Sequence, residues 1–190
     1  MATRGDHATK RGEILRAVWA VVARRGIAGV SVRSVAAEAG VSAGRVQHYF
    51  ASKDDLVRAS VAEMVAVAEA AHAGAVAGAG PAEELWNLLA HALPAAEGTR
   101  VGTSVFYSFV AAGVADPEVA AVLAQSKSDA EAEAARLLER CAPGLADPRA
   151  AARTLLAVAD GLTLRVLVGD LTAEEAQDAL RGAVAGTIGG

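Results

Sequence analysis

The sequence predicts an all-α protein of about nine helices, and three observations carry that reading. Alanine supplies 48 of the 190 residues, and alanine loses least on entering a helix. Aromatic side chains make up only 4%, whereas β-sheets draw on aromatic and branched residues. Apolar residues recur at three- and four-residue spacing between glycine, proline, serine and aspartate punctuation, as on one face of a helix. With 53% of the chain apolar, material for a core is ample and an intrinsically disordered chain is excluded.

The elements follow in order. A first helix runs from Thr9 to Arg25, with Ile14, Leu15, Val18, Trp19, Val21 and Val22 on its apolar side, and Gly26 stops it. Trp19 is expected to anchor the small core of this region. Ser31 caps a second helix whose Val32, Val35, Ala36 and Ala39 share a face, closed by Gly40. Ser42 caps a third, to about Tyr49, and Ser52 with Asp55 forms a capping-box-like start for a long fourth. From Ala62 to Ala82 alanine and glycine dominate, so the first half reads as helix and the second as a break. A fifth helix spans Ala82 to near Pro94, and a sixth about Thr99 to Val114. Asp116-Pro117 and Asp147-Pro148 each set an N-cap before a first-turn proline. The helices they open end near Cys141 and Val168. Thr172 and Glu175 form a capping box for the last helix.

Residues 32–51 fit the register of a helix-turn-helix unit. Gly40 sits in the turn, and Ala36 is small where the helices cross. Val35, Ala39, Val41, Val46 and Tyr49 take inward positions, which turns Ser42, Ala43, Gly44, Arg45, Gln47 and His48 outward. Those outward residues suit DNA. Arg45 can donate two hydrogen bonds to a guanine edge and Gln47 can pair with adenine. Ser42, at a helix N-terminus, can reach a phosphate. Gly44 costs so short a helix about 1 kcal/mol relative to alanine, a cost that close approach to a DNA strand explains. The competing reading is a buried helical hairpin with an incidental arginine.

Residues 10–58 resemble the N-terminal domain of the TetR/AcrR transcriptional regulators. The resemblance rests on the string Val41-Ser42-x-Gly44-x-Val46-x-x-Tyr49-Phe50-x-x-Lys53-x-x-Leu56. It implies that Arg33, Ser42, Arg45, Gln47, His48, Tyr49 and Lys53 face double-stranded DNA, with Lys53 on a phosphate; Ala43 and Gly44, outward on the same helix, complete the candidate contacts. Further along, "FVAAGVADPEVAAVL" and "LLAVADGLTLRVLVGDLTAEEAQDAL" resemble the C-terminal domain of the BetI-type branch. Stretch 68–82 departs from the pattern. The resemblance implies a DNA-binding domain over 1–58 and a ligand-binding and dimerisation domain over 59–190. It also implies a repressor that binds a palindromic operator as a homodimer and is released by a small-molecule effector.

Two constellations in the body bear on those expectations. Leu155, Val158, Leu162 and Val166 recur along helix eight, and Ala176, Leu180 and Val184 along helix nine. A pair of helices from each subunit would make a four-helix dimer seam; otherwise the stripes face the subunit's own core. Trp86 and Leu89 on helix five, with Phe106, Tyr107, Phe109 and Val110 on helix six, hold the aromatics of the body and are the candidate effector contacts. Their other reading is ordinary core. Asp160, in an apolar setting, is expected to pair with Arg153 or Arg165, or else to face a cationic ligand.

Charge and composition narrow the class. Residues 1–58 hold ten Lys/Arg against five Asp/Glu, whereas 59–190 hold eight against seventeen. The basic head suits an anionic partner, although ordinary solvation explains the same count. Arg4, Lys10 and Arg11 are expected either as an arm along the DNA backbone or as a disordered tail. No apolar stretch reaches the length of a membrane span, and the polar N-terminus lacks a signal-peptide core, so a cytoplasmic protein is expected. A single cysteine and four scattered histidines offer no metal set, and no cofactor is expected. No nucleotide-binding loop or nucleophile elbow is found, which argues against an enzyme. The remaining alternative is a helical protein-interaction module.

Overall fold

A computed structural model of the chain describes residues 4–189. The helices are α1 (Arg4–Arg25), α2 (Val32–Glu38), α3 (Ala43–Tyr49), α4 (Lys53–Ala75), α5 (Pro81–Ala90), α6 (Glu97–Gly113), α7 (Pro117–Cys141), α8 (Pro148–Leu167) and α9 (Ala173–Gly189). A short 3-10 turn, Ile27–Gly29, joins α1 to α2. No strand occurs among the described residues, and the fold is all-α.

The helix starts are fixed by side chains that accept the unpaired first-turn amides. The Ser34 amide donates to Ser31 Oγ at 3.0 Å, and the Ser31 amide donates back to Ser34 Oγ at 2.9 Å. The Asp55 amide donates to Ser52 Oγ at 3.0 Å, and the Ala150 amide to Asp147 Oδ1 at 2.9 Å. Thr172 and Glu175 exchange bonds of 2.8 and 3.1 Å in the reciprocal box their spacing predicts. At the end of α2, Gly40 adopts φ 64°. The Val41 amide then reaches back to the Ala36 carbonyl at 3.0 Å. This backbone needs a left-handed residue, which glycine supplies without a Cβ clash.

The helices pack as two compact units. The first comprises Met1–Val67 and Ser104–Leu123, the second Ala68–Thr103 and Ala124–Gly190. In the first, Leu15 and Val18 of α1, Val46 of α3, Leu56 of α4, Phe109 of α6 and Val119 of α7 are fully buried in one cluster. Trp19 packs against it, half-buried, and its indole N–H donates to the Ser60 carbonyl at 3.1 Å. Arg58 of α4 ties down the start of α7, with Nε 3.1 Å from Asp116 and a terminal nitrogen 3.0 Å from Glu118.

In the second unit, Leu89 of α5, Leu137 and Leu138 of α7, Leu155 of α8 and Leu180 of α9 form the core. The Arg100 guanidinium donates to the Val166 and Leu167 carbonyls at 3.1 and 2.7 Å, placing a cation at the negative end of α8. Arg153 and Arg149 both grip Glu131 at 2.8–2.9 Å. Their hydrogen bonds, with Arg153 contributing most, bring its carboxyl down to about 2.

Two expectations change. α1 begins at Arg4 rather than Thr9, and Lys10 and Arg11 lie well inside it, not in an arm or a tail. Lys10 pairs with Glu13 at 2.9 Å, and the Arg11 guanidinium lies 5.4 Å from the centre of the Phe50 ring. The side chain of Arg4 lies outside the described residues. Asp160 pairs with Lys127 at 2.6 and 2.7 Å, not with Arg153 or Arg165. Arg153 is taken by Glu131, and Arg165 by Asp170.

Candidate nucleic-acid interface

The short helix α3 is held from one side only. Its Val46 is fully buried, Tyr49 is half-buried, and Ala43, Gly44, Arg45, Gln47 and His48 are exposed. Exposed Ser42 caps it, accepting the Arg45 amide at 3.2 Å. The hydroxyl hydrogen of Ser42 remains for an acceptor such as a phosphate oxygen. Arg33 on α2 and Lys53 at the first position of α4 are exposed as well. The six positions that the sequence turns outward on α3 therefore form one solvent-facing edge that holds a guanidinium, an amide and an imidazole. These are the groups that read base edges in a major groove.

Gly44 carries particular weight. A Cβ built there meets no protein atom within 4 Å, and its backbone is helical, with a φ outside the left-handed region. Nothing in the folded chain requires glycine at this position. Gly44→Ala is therefore expected to raise thermal stability by up to about 1 kcal/mol. With the exposed edge of α3 as the surface proposed to meet DNA, it should at the same time weaken binding to duplex DNA. Melting curves and equilibrium DNA titrations on the same preparation check both signs.

Tyr49 takes the inward position that the helix-turn-helix register gives it, half-buried. Its ring packs on the core of the first unit, and its hydroxyl lies 3.2 Å from His7 Nδ1. His48 meets the Tyr49 ring edge-on with centroids 5.2 Å apart, and the His7 and His48 ring centroids are 6.2 Å apart. His7 is the residue the sequence reading missed. It precedes the apolar periodicity of α1, and only the helical register carried back from Thr9 would have placed it beside α3.

The body residues separate. Phe106, Tyr107 and Val110 are half-buried in the first unit, with the Phe106 and Tyr107 rings edge-to-face at 5.8 Å. Phe109 is fully buried in that unit's core. Leu89 is buried in the core of the second unit, where half-buried Trp86 carries the Arg181 guanidinium 4.0 Å above its ring. Leu155, Leu162, Val166, Ala176 and Leu180 are buried within the second unit, and Val158 and Val184 are half-buried there. The outer edges of α8 and α9 are a different set. Thr154, Ala157, Gly161, Leu164 and Val168 are exposed on α8 and its end, and Ala179, Gly182 and Gly186 on α9. No group of three or more His, Cys, Asp or Glu suited to a metal occurs among the described residues. None of their helices is long and apolar enough to cross a membrane.

The profile of the tetR family of bacterial regulatory proteins matches residues 14–60, and that of the BetI-type transcriptional repressor C-terminal domain matches 81–189. The HTH-type transcriptional regulator BetI of Stenotrophomonas maltophilia is 28% identical over 181 residues, covering 93% of this chain and 92% of that protein. The HTH-type transcriptional regulator PksA of Bacillus subtilis is 34% identical over 108 residues, 56% of this chain and 52% of PksA, so the match spans about half of that relative. A transcriptional regulator from Rhodococcus sp. Rha1 superposes with a TM-score of 0.85 at 26% identity, covering 93% of this chain and 95% of that one.

Proposed function

The chain belongs to the tetR family of bacterial regulatory proteins, with a BetI-type C-terminal domain, and from that premise we propose that it is a repressor of this family, which comprises transcriptional regulators and not enzymes. As a homodimer it binds a palindromic operator in the cytoplasm, and a small-molecule effector releases it. The DNA-binding function lies in residues 1–58 and the effector and dimer functions in 59–190. What carries the reading is the exposed edge of α3, with Arg45, Gln47 and His48 around a glycine that packing does not require. Arg45 and Gln47 read bases, while Ser42, Tyr49, Arg33 and Lys53 hold the backbone and fix register.

A palindrome requires two such edges about one helical turn of DNA apart, hence a two-fold dimer. The seam is the outer face of the last two helices. Thr154, Ala157, Gly161, Leu164 and Val168 repeat at alternating three- and four-residue steps, as do Ala179, Gly182 and Gly186. The alanines and glycines let helices approach closely, while Leu164 and Val168, 45% and 78% exposed in the isolated chain, supply apolar surface to bury. Phe106, Tyr107 and Val110 of the first unit are the effector contacts, with Phe109 as the packing that supports them. An effector releases DNA only if it binds the released arrangement more tightly than the bound one.

Selection from a random duplex library at near-physiological salt tests the reading. The expected result is a palindromic consensus whose binding weakens linearly in log K against log salt, with a slope of about −0.9 per phosphate contacted. A folded protein that enriches no sequence with or without cell extract, or one whose partner is insensitive to salt, would instead be a protein-interaction module.

A further inference from the structure

The extension of α1 to Arg4 lays its first turns beside α3, where His7 Nδ1 and the Tyr49 hydroxyl are 3.2 Å apart. The contact bridges 42 residues of sequence and joins the first turns of α1 to the end of α3. The His48 ring lies against the same tyrosine at 5.2 Å. The Tyr49 side chain is thus held by packing beneath and by an imidazole at its polar tip.

We propose that His7 is a positioning residue for operator recognition, donating its Nδ1 hydrogen to the Tyr49 hydroxyl so that the hydroxyl hydrogen is directed at a DNA phosphate. The proposal rests on the operator reading above. Its chemistry follows from the inventory of donors and acceptors. A phosphodiester oxygen only accepts, so a tyrosine that bonds to it must spend its one hydrogen there. The tyrosine oxygen then has lone pairs left to accept, and the neighbour that meets them must be a donor. A neutral imidazole with its hydrogen on Nδ1 supplies one. Aligned in this way, the hydroxyl is preorganised, and the ordering of a freely turning O–H is not charged against binding.

A double-mutant cycle on the palindromic duplex enriched by the parent protein tests this. His7→Ala is expected to weaken binding roughly three- to tenfold, the worth of one hydrogen bond. Tyr49→Phe should weaken it at least as much, and His7→Ala added to Tyr49→Phe should cost nothing further. His7→Asn keeps an N–H donor two bonds from Cβ and should restore most of the loss. His7 is exposed, so all four proteins should melt at similar temperatures. An equal loss from His7→Ala in both backgrounds would show that His7 meets DNA by itself or merely steadies α1, and would overturn the proposal. So would full affinity in His7→Ala, or a His7→Asn protein as weak as His7→Ala. A parent protein that enriches no duplex removes the operator reading and this proposal together, whereas an enriched palindrome bound equally by all variants removes this proposal alone.

Discussion

Phe109→Ala is expected to lower the stability of the first unit by about 3–5 kcal/mol. The side chain is fully buried in α6, within the cluster that also holds Leu15 of α1, Val46 of α3 and Leu56 of α4. Removing a phenyl ring from such a site forfeits its transfer free energy and leaves a cavity that the surrounding helices fill only in part. A loss of this size is a large share of the 5–15 kcal/mol that holds an ordinary domain together. DNA binding should therefore fall with the folded fraction. Urea titration followed by circular dichroism checks it, through a lower midpoint at unchanged slope. Phe106→Ala, at a half-buried position four residues from Val110, should cost less. The pair of variants also separates two roles. A loss below about 1 kcal/mol at Phe109 falls well short of the usual core phenylalanine truncation, and together with a changed effector response it would make that ring a ligand contact.

Phe109 also shows where sequence stops short. Helical spacing marks Phe106, Phe109 and Val110 as one side of a helix, yet only the packing separates the ring that is core from the one that is half-exposed. The same holds for α8 and α9. Leu155, Leu162, Val166, Ala176 and Leu180 give a strong apolar period because they form the core of their own unit. The outer edge is mostly threonine, alanine and glycine, with Leu164 and Val168 as its large apolar residues, too few to give a period under the same test. What was legible was local. Ser31, Ser42, Ser52, Asp147 and Thr172 each cap a helix through an amide three residues away, so four residues of sequence contain the whole interaction. The outward edge of α3 was legible because Val46 and Tyr49 must point inward, and a seven-residue helix leaves the others little choice. The partner of Asp160 is set 33 residues away by how α7 and α8 slide past one another, and His7 meets Tyr49 across 42. No local pattern encodes either distance.

Arg45→Ala and Lys53→Ala are expected to damage operator binding in different ways. Arg45 projects from the middle of the exposed edge of α3, where a guanidinium can take two acceptors of one guanine. Its loss should remove about 1–3 kcal/mol of discrimination at one base pair in each half-site and leave the other positions as selective as before. Lys53 opens α4 beyond the end of α3, capped by Ser52, with its ammonium exposed. On the proposed reading it meets the sugar-phosphate strand, which is the same for every sequence. Lys53→Ala should weaken specific and unrelated duplexes by a similar factor, and should reduce the slope of log K against log salt by about 1 for each subunit's lost contact. Binding curves on the selected palindrome, on single-base variants of it and on an unrelated duplex, each at several salt concentrations, separate the two patterns. If Lys53→Ala instead shifted base preference while leaving the salt slope intact, α4 would enter the groove itself. The division of labour between α3 and the start of α4 would then have to be reversed, because a residue on the strand changes how tightly every sequence is held but not which one is chosen.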